Sequence, residues 1–399
     1  MVTSYSDGAR RRRGVRGALL RAIGVAVALA AVAACGSNKS KEEASAPAEL
    51  VDFEQQYRVV ALWSKGIGTG QGKEYNRLQP ALDQDFIYAA DVDGVVLALD
   101  RLTGKKVWKA KVGKQLTGAV GVGRDLVVLG NARGEVIALA RDDGRELWRA
   151  RVGGEVLAPP ATDGNVVVAQ TFDGKLYALD GATGAELWRY TSQLPVLTLR
   201  GTAAPVVEFG RVYAAFANGK LVSLDLASGV VNWEARVAVA QGESEIERVV
   251  DVDGTPLVEP DTIFAVSYQG RAGAFDPRSG RAYWYHDASS YVGMAEGFGH
   301  AYVASDEGAL LALDQRNGNV SWVNEQLLHR RLSQPVTVGS LVVVADYQGY
   351  IHVISQIDGT LVARRKLGSK GVRAPLLSAD GVLYALGNKG KLTAYQIAE

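Results

Sequence analysis

The sequence predicts an all-β chain, an eight-bladed β-propeller of four-stranded antiparallel blades whose ring closes by pairing N-terminal and C-terminal strands. Three observations predict it. A motif of the form "DGKLYALDGATGAELW" (residues 173–188) recurs eight times, each copy alternates apolar residues between turn signals, and the last copy breaks off before its final strand. Aligned on the glycine of a hairpin turn, the copies fall at Gly94, Gly134, Gly174, Gly219, Gly270, Gly308, Gly349 and Gly390, with spacings of 40, 40, 45, 51, 38, 41 and 41 residues. A period near 40 with several short strands per unit is the signature of a propeller blade, because one blade cannot bury both of its faces and a ring of them can.

Each unit reads as four strands. In the third, "NVVVAQT" and "KLYALD" are β-branched or alternating runs joined by Asp173-Gly174, a tight-hairpin signal in which both turn positions tolerate φ > 0. Asp180 then has the geometry to accept backbone N–H groups from "GATG", with Gly184 in the left-handed position, so that the chain turns into the strand carrying Trp188. "LAPPATD" (157–163) supplies an inner strand. The eighth unit ends at Glu399, and its missing outer strand is found in "YRVVALWSK" (57–65), which carries Trp63 at the repeat's tryptophan position. Truncating either end should therefore unfold the ring as a whole.

All seven tryptophans, Trp63, Trp108, Trp148, Trp188, Trp233, Trp284 and Trp322, share one repeat position, and Ala363 is the exception. A residue repeated around the ring is architecture: each indole should fill the wedge between blades while its N–H finds a local acceptor. The turn aspartates Asp100, Asp180, Asp225, Asp276 and Asp314 are read the same way, as turn formers.

The N-terminal residues 1–34 do not belong to the ring. Arg10, Arg11, Arg12, Arg13, Arg16 and Arg21 precede "AIGVAVALAAVAA", an apolar run of 13 residues that is too short to span a bilayer and has the layout of a secretory signal peptide. "RRRR" also allows a twin-arginine export signal. "VAAC" (32–35) resembles the lipobox of bacterial lipoproteins, which makes Cys35 the lipidation site, with palmitate among the acyl chains such a cysteine receives. Cys35 is the sole cysteine, so disulfides and cysteine-rich metal sites are excluded. Residues 35–56 are polar and poor in aromatics, as expected of a lipidated flexible tether, leaving 57–399 for the propeller. Gly36 stands where an aspartate would resemble an inner-membrane retention signal, which favours the outer membrane. Without the leader's six arginines and Asp7, the 44 basic and 43 acidic residues fall to a net charge of about −4, which gives no electrostatic case for nucleic acid.

The repeats resemble the tryptophan-docked propeller of quinone-dependent alcohol dehydrogenases. An enzyme of that kind needs convergent acids, a calcium site and a catalytic base. No unit departs from the repeat to supply them, and His286, His300, His329 and His352 lie apart without metal-ligand spacing. There is no phosphate loop and no serine elbow. The expectation is therefore a protein without catalytic residues, metal or cofactor, with function placed where units depart from the common length. The spacings of 45 and 51 identify two adjacent connections, "RYTSQLPVLTLRGTAAP" (189–205) and "EARVAVAQGESEIERVVDVDGTP" (234–256). The first offers Leu197, Leu199 and Arg200, and the second Glu245, Glu247, Arg248, Asp251 and Asp253. Composition leaves two readings open: a binding surface, or inner-strand leucines beside a solvated charged loop.

The lipobox, the eight tryptophan-docked blades and the strings "LTLRG", "SEIERVVDVDGTP" and "LLHR" (327–330) together resemble the BamB family across the mature chain. These are the propeller lipoproteins of the machine that inserts β-barrels into the outer membrane. The resemblance implies a non-catalytic scaffold facing the periplasm, anchored in the outer membrane by lipid alone. It implies binding to the POTRA domains of the central barrel subunit, BamA, with unfolded barrel substrates as a further expected contact. The family's partner-binding positions correspond here to Leu197, Leu199, Arg200, Asp251 and Asp253, which together suggest an apolar centre with an exposed charged rim. A quinone-dependent enzyme and a cell-wall or adhesion propeller are the alternatives.

Overall fold

The computed structural model describes residues 46–73, 76–113, 115–239, 243–244, 249–368 and 371–399. Among the described residues every regular element is a strand, and the strands form eight four-stranded antiparallel sheets. Blades 1 to 7 follow the chain at 81–111, 116–151, 161–191, 206–236, 257–287, 295–324 and 336–366. Blade 8 joins three strands within 377–398 to Arg58–Gly66, which pairs antiparallel with Lys391–Ala398 and closes the ring.

Blade 3 shows why the repeat folds as it does. Its strands run from Ala161–Thr162 at the axis through Val166–Gln170 and Lys175–Asp180 to Glu186–Thr191 at the rim. The two middle strands are buried along nearly their whole length, because both faces of the blade are covered by neighbours. The outer strand alternates, with Trp188 and Tyr190 turned inward. The core is accordingly divided into eight apolar clusters, one between each pair of adjacent blades, including the pairs made by blade 8. With roughly 1.5–3 kcal/mol for each large apolar side chain fully buried, these shared clusters hold blades that could not stand alone.

The hairpin between the second and third strands differs from the sequence expectation. Gly174 N–H donates to Thr171 O at 3.0 Å and only Gly174 takes positive φ, at 80°, so the turn is type I followed by a left-handed glycine. Asp173 keeps an ordinary backbone. The next turn is as expected: Asp180 Oδ1 accepts the Thr183 N–H at 2.8 Å, and Gly184 sits at φ 73°.

That second turn is also where the tryptophans dock. Trp148 lies across Gly184 of the next blade and donates its indole N–H to Gly181 O at 2.7 Å. A Cβ at Gly184 would stand 2.6 Å from the ring, so glycine is required there by close approach as well as by φ. The other six tryptophans repeat both contacts, each with an N–H to a turn carbonyl at 2.7–3.0 Å. This accounts for Ala363. Its indole would have to dock on the third turn of blade 8, and that turn does not exist, because the chain's two ends meet there. Residues 51–57 fill the place instead. Gln56 N–H donates to Val362 O at 2.9 Å, Tyr57 packs on the cluster containing Ala363, and Arg364 donates to Val51 O at 2.8 Å while lying over the Phe53 ring. The stretch 51–56, assigned in the sequence to the tether, thus belongs to the folded body. Cys35 and residues 1–34 lie outside the described residues.

Candidate docking site

The connections that leave each outer strand for the next blade share one face with the second-to-third-strand hairpins, to which they are tied by bonds such as Ser192 N–H to Gly174 O and Val237 N–H to Gly219 O, both 2.9 Å. The two long connections meet on this face. Leu199 N–H donates to Asp251 Oδ2, and Ala204 N–H donates to Thr255 Oγ1 at 3.2 Å. Gly201 runs so close over the Asp253 carboxylate that a Cβ would collide with it, which explains the glycine of "LRG".

This arrangement divides the five residues by depth. Val196 is 92% exposed and Leu197 45% exposed, Arg200 is exposed, and Leu199 is half-buried. The segment bends at Val196–Leu197 and again at Arg200, so the two leucines do not stand on one side of a straight strand. Asp251 is completely buried and Asp253 nearly so, which corrects the expectation of an exposed acidic rim: the first long connection lies over the second and covers them. Burial, reinforced by the charge of Asp253, pushes the Asp251 carboxyl up to about 7 against the opposing pull of the Leu199 N–H. Burial likewise pushes Asp253 up to about 6, with Arg77 opposing it. Oδ1 of Asp251 has no hydrogen-bond partner among the described residues. Arg200 Nη1 reaches Glu155 of the neighbouring connection at 3.1 Å, a pair exposed enough to contribute little to stability. Glu245, Glu247 and Arg248 lie outside the described residues.

Inward from this loop, the axis opens into a cavity of about 70 Å³ to which all eight blades or their connections contribute. Arg77, Arg200, Arg373 and Asp253 are its charged lining residues. Arg77 belongs to a third long connection, 67–80, which spacing between glycines could not reveal because it precedes the first aligned glycine. Counting from tryptophan to the next hairpin glycine would have found it: Trp63 to Gly94 is 31 residues, the same as Trp188 to Gly219.

The remaining candidates are structural. Leu327 and Arg330 of "LLHR" are buried, and Arg330 pairs with Asp346 at 2.7 Å. His352 is completely buried and held neutral mainly by desolvation. Its Nδ1 faces Arg364 Nε at 3.4 Å, so the proton sits on Nε2, 3.0 Å from Asp346. Among the described residues no three acids, histidines or cysteines converge in metal-ligating geometry.

The family described as outer membrane protein assembly factor BamB matches residues 92–324. The chain is 55% identical over 373 residues to outer membrane protein assembly factor BamB of Pseudomonas aeruginosa, covering 94% of this chain and 97% of that one. It superposes on the crystal structure of BamB from Moraxella catarrhalis with a TM-score of 0.78 at 28% identity, over 85% of this chain and all of that one. The quinohemoprotein alcohol dehydrogenase of Comamonas testosteroni shares the fold alone, with a TM-score of 0.66 at 14% identity over 86% of this chain and 78% of that one. With the eight blades, the closure and the two interlocked connections in place, the chain belongs to the BamB family of outer membrane protein assembly factors.

Proposed function

We propose that the protein is a non-catalytic scaffold of the outer-membrane β-barrel assembly machine, held at the periplasmic face of the membrane by a lipid on Cys35. It binds the POTRA domains of the barrel subunit BamA through the loop 192–205 and so aids the folding and insertion of outer-membrane proteins. The observation that carries this reading is the loop itself. Val196 and Leu197 present apolar surface to solvent beside Arg200, on a segment pinned from beneath by Asp251. An exposed apolar group flanked by an arginine, on a loop fixed in advance, has the composition of a binding hot spot. Leu199, Asp251 and Asp253 support that surface from the inside.

A quinone cofactor reading finds little support in the axial cavity, since pockets for molecules of that size run from about 300 Å³ upward and this one holds about 70 Å³. The test is mild solubilisation of the membrane followed by affinity capture of the protein. BamA should come down with the wild type, and Leu197→Ala/Arg200→Ala should lose most of it while keeping the wild-type melting temperature. Capture without BamA in the wild type would overturn the assignment and leave the adhesion alternative standing. Cys35→Ala, in the same preparation, should leave the protein without lipid while its ring still folds.

A further inference from the structure

Arginines cluster at the mouth of the axial cavity, Arg200 in a pair with Glu155 and Arg77 set against Asp253. Arg77, Arg200 and Arg373 all line it, and the sole carboxylate among its described lining residues is Asp253. Their places in the ring make the arrangement directional. Arg200 lies in the connection from blade 3 to blade 4, and Arg373 in the connection from blade 7 to blade 8. In a ring of eight those two boundaries are diametrically opposed. Arg77, between blades 8 and 1, stands next to Arg373, with one guanidinium nitrogen 3.2 Å from Tyr291 O. A group entering along the axis from the face that bears the docking loop therefore meets guanidinium groups on both sides.

The rest of the lining is neutral, with Asn76, Gln79, Gln334 and Thr255 offering further hydrogen-bonding groups. The space suits a group of a few heavy atoms. Guanidinium groups match planar, two-oxygen anions, which they can grip with paired N–H donors. An acidic side chain fits this size and chemistry.

We propose that the axial mouth is a carboxylate-binding site in which Arg77 and Arg373, opposite Arg200 across the ring axis, receive an acidic side chain of the docked partner. The proposal rests on the docking reading above and adds to it a second contact region, nearer the axis than the exposed leucine. In it Arg77 and Arg373 determine specificity: they select a partner surface that projects an acid at the axis, and they disfavour one that projects a base there.

The test uses the solubilised full-length protein and solubilised full-length BamA, with affinity measured by calorimetry. Arg77→Gln/Arg373→Gln should bind about tenfold more weakly than wild type, with a shallower dependence on salt. The single variant Arg373→Gln should show part of that loss, and it decides the matter if the double variant does not fold. Replacing chloride by acetate at constant ionic strength should weaken wild-type binding about threefold and leave the double variant unchanged, which identifies the carboxylate as the group competed for. Folded variants that bind within twofold of wild type, or acetate that weakens wild type and variant alike, would overturn the proposal while leaving the docking reading intact. No binding of wild type to BamA would overturn both.

Discussion

Two aspartates of this ring are completely buried, and they sit in opposite electrostatic surroundings. Asp346 occupies a repeat position, three residues before a hairpin glycine, where Asp91, Asn131 and Ser305 perform the same task of accepting the turn's N–H. Burial alone would raise its pKa. Bonds from His352, the Tyr350 N–H and Arg330 outweigh burial and hold the carboxyl below the ordinary range. Asp251 lies in the long connection between blades 4 and 5. Among the described residues it has one N–H donor, from Leu199, an oxygen with no hydrogen-bond partner and an acidic neighbour, and its carboxyl rises to about 7. The repeat satisfies its buried charge, and the proposed docking region leaves one without a full set of partners among the described residues. A group that lowers stability and still holds a loop exposing Val196 and Leu197 is a mark of function rather than of architecture.

Neutralising the two residues separates them most strongly. Asp346→Asn removes the carboxylate that pairs with Arg330 inside the protein and should cost about 3–5 kcal/mol at neutral pH, read from chemical denaturation. Because the pKa of Asp346 is lowered on folding, its contribution is present above the unfolded value near 4 and fades as pH falls, so the penalty should shrink in acid. A penalty that did not depend on pH would remove Asp346 from this charge network.

Asp251→Asn should have the opposite sign. The folded pKa lies above the unfolded one, so between about pH 4 and pH 7 the native state binds more protons than the unfolded chain, and the wild type loses stability as pH rises through that window. The amide variant is spared the loss. It should match wild type near pH 4 and exceed it by on the order of 2 kcal/mol at pH 8, because a raised pKa is worth about 1.4 kcal/mol per unit and solvent penetration reduces the full value. Equal stability of the two proteins at both pH values would show that Asp251 is solvated.

The smallest effects on stability belong to the surface of the loop. Leu197→Ala and Arg200→Ala should each change unfolding free energy by no more than about 1 kcal/mol, since one side chain is about half in water and the other makes an exposed ion pair. In binding to BamA the same substitutions should cost about 1–3 kcal/mol. A large loss of stability from either would move it from the docking surface into the core.

What the sequence made legible follows the same division. The eight blades, the closing strand at Trp63 and the docking of each indole could be read because they repeat, so each copy supports the assignment of the others. Even Ala363 obeys the rule, through the absence of the turn it would cover. The depth of Asp251 could not be read, because it depends on a neighbouring connection folding over it, and "DVDG" looks the same in a solvated loop as in a covered one. Arg77 was missed for a different reason, since the first connection has no preceding glycine from which to measure it. The end of the tether at 51–56 was obscured by its polar composition, while the arginine that holds it, Arg364, lies more than 300 residues away in sequence.

In the proposed docking, Asp251 acts on binding from within, by holding the Leu199 backbone, and not as a charge offered to the partner. Comparing the affinity of BamA for wild type, Asp251→Asn and Asp251→Ala at pH 7 tests it directly. An amide oxygen can still accept the Leu199 N–H, so Asp251→Asn should bind within about twofold of wild type, whereas Asp251→Ala, which frees the loop, should bind on the order of tenfold more weakly, the cost of a lost buried hydrogen bond. If Asp251→Asn were as weak as Asp251→Ala, the negative charge itself would be what the partner recognises, and a purely supporting role for Asp251 would be contradicted.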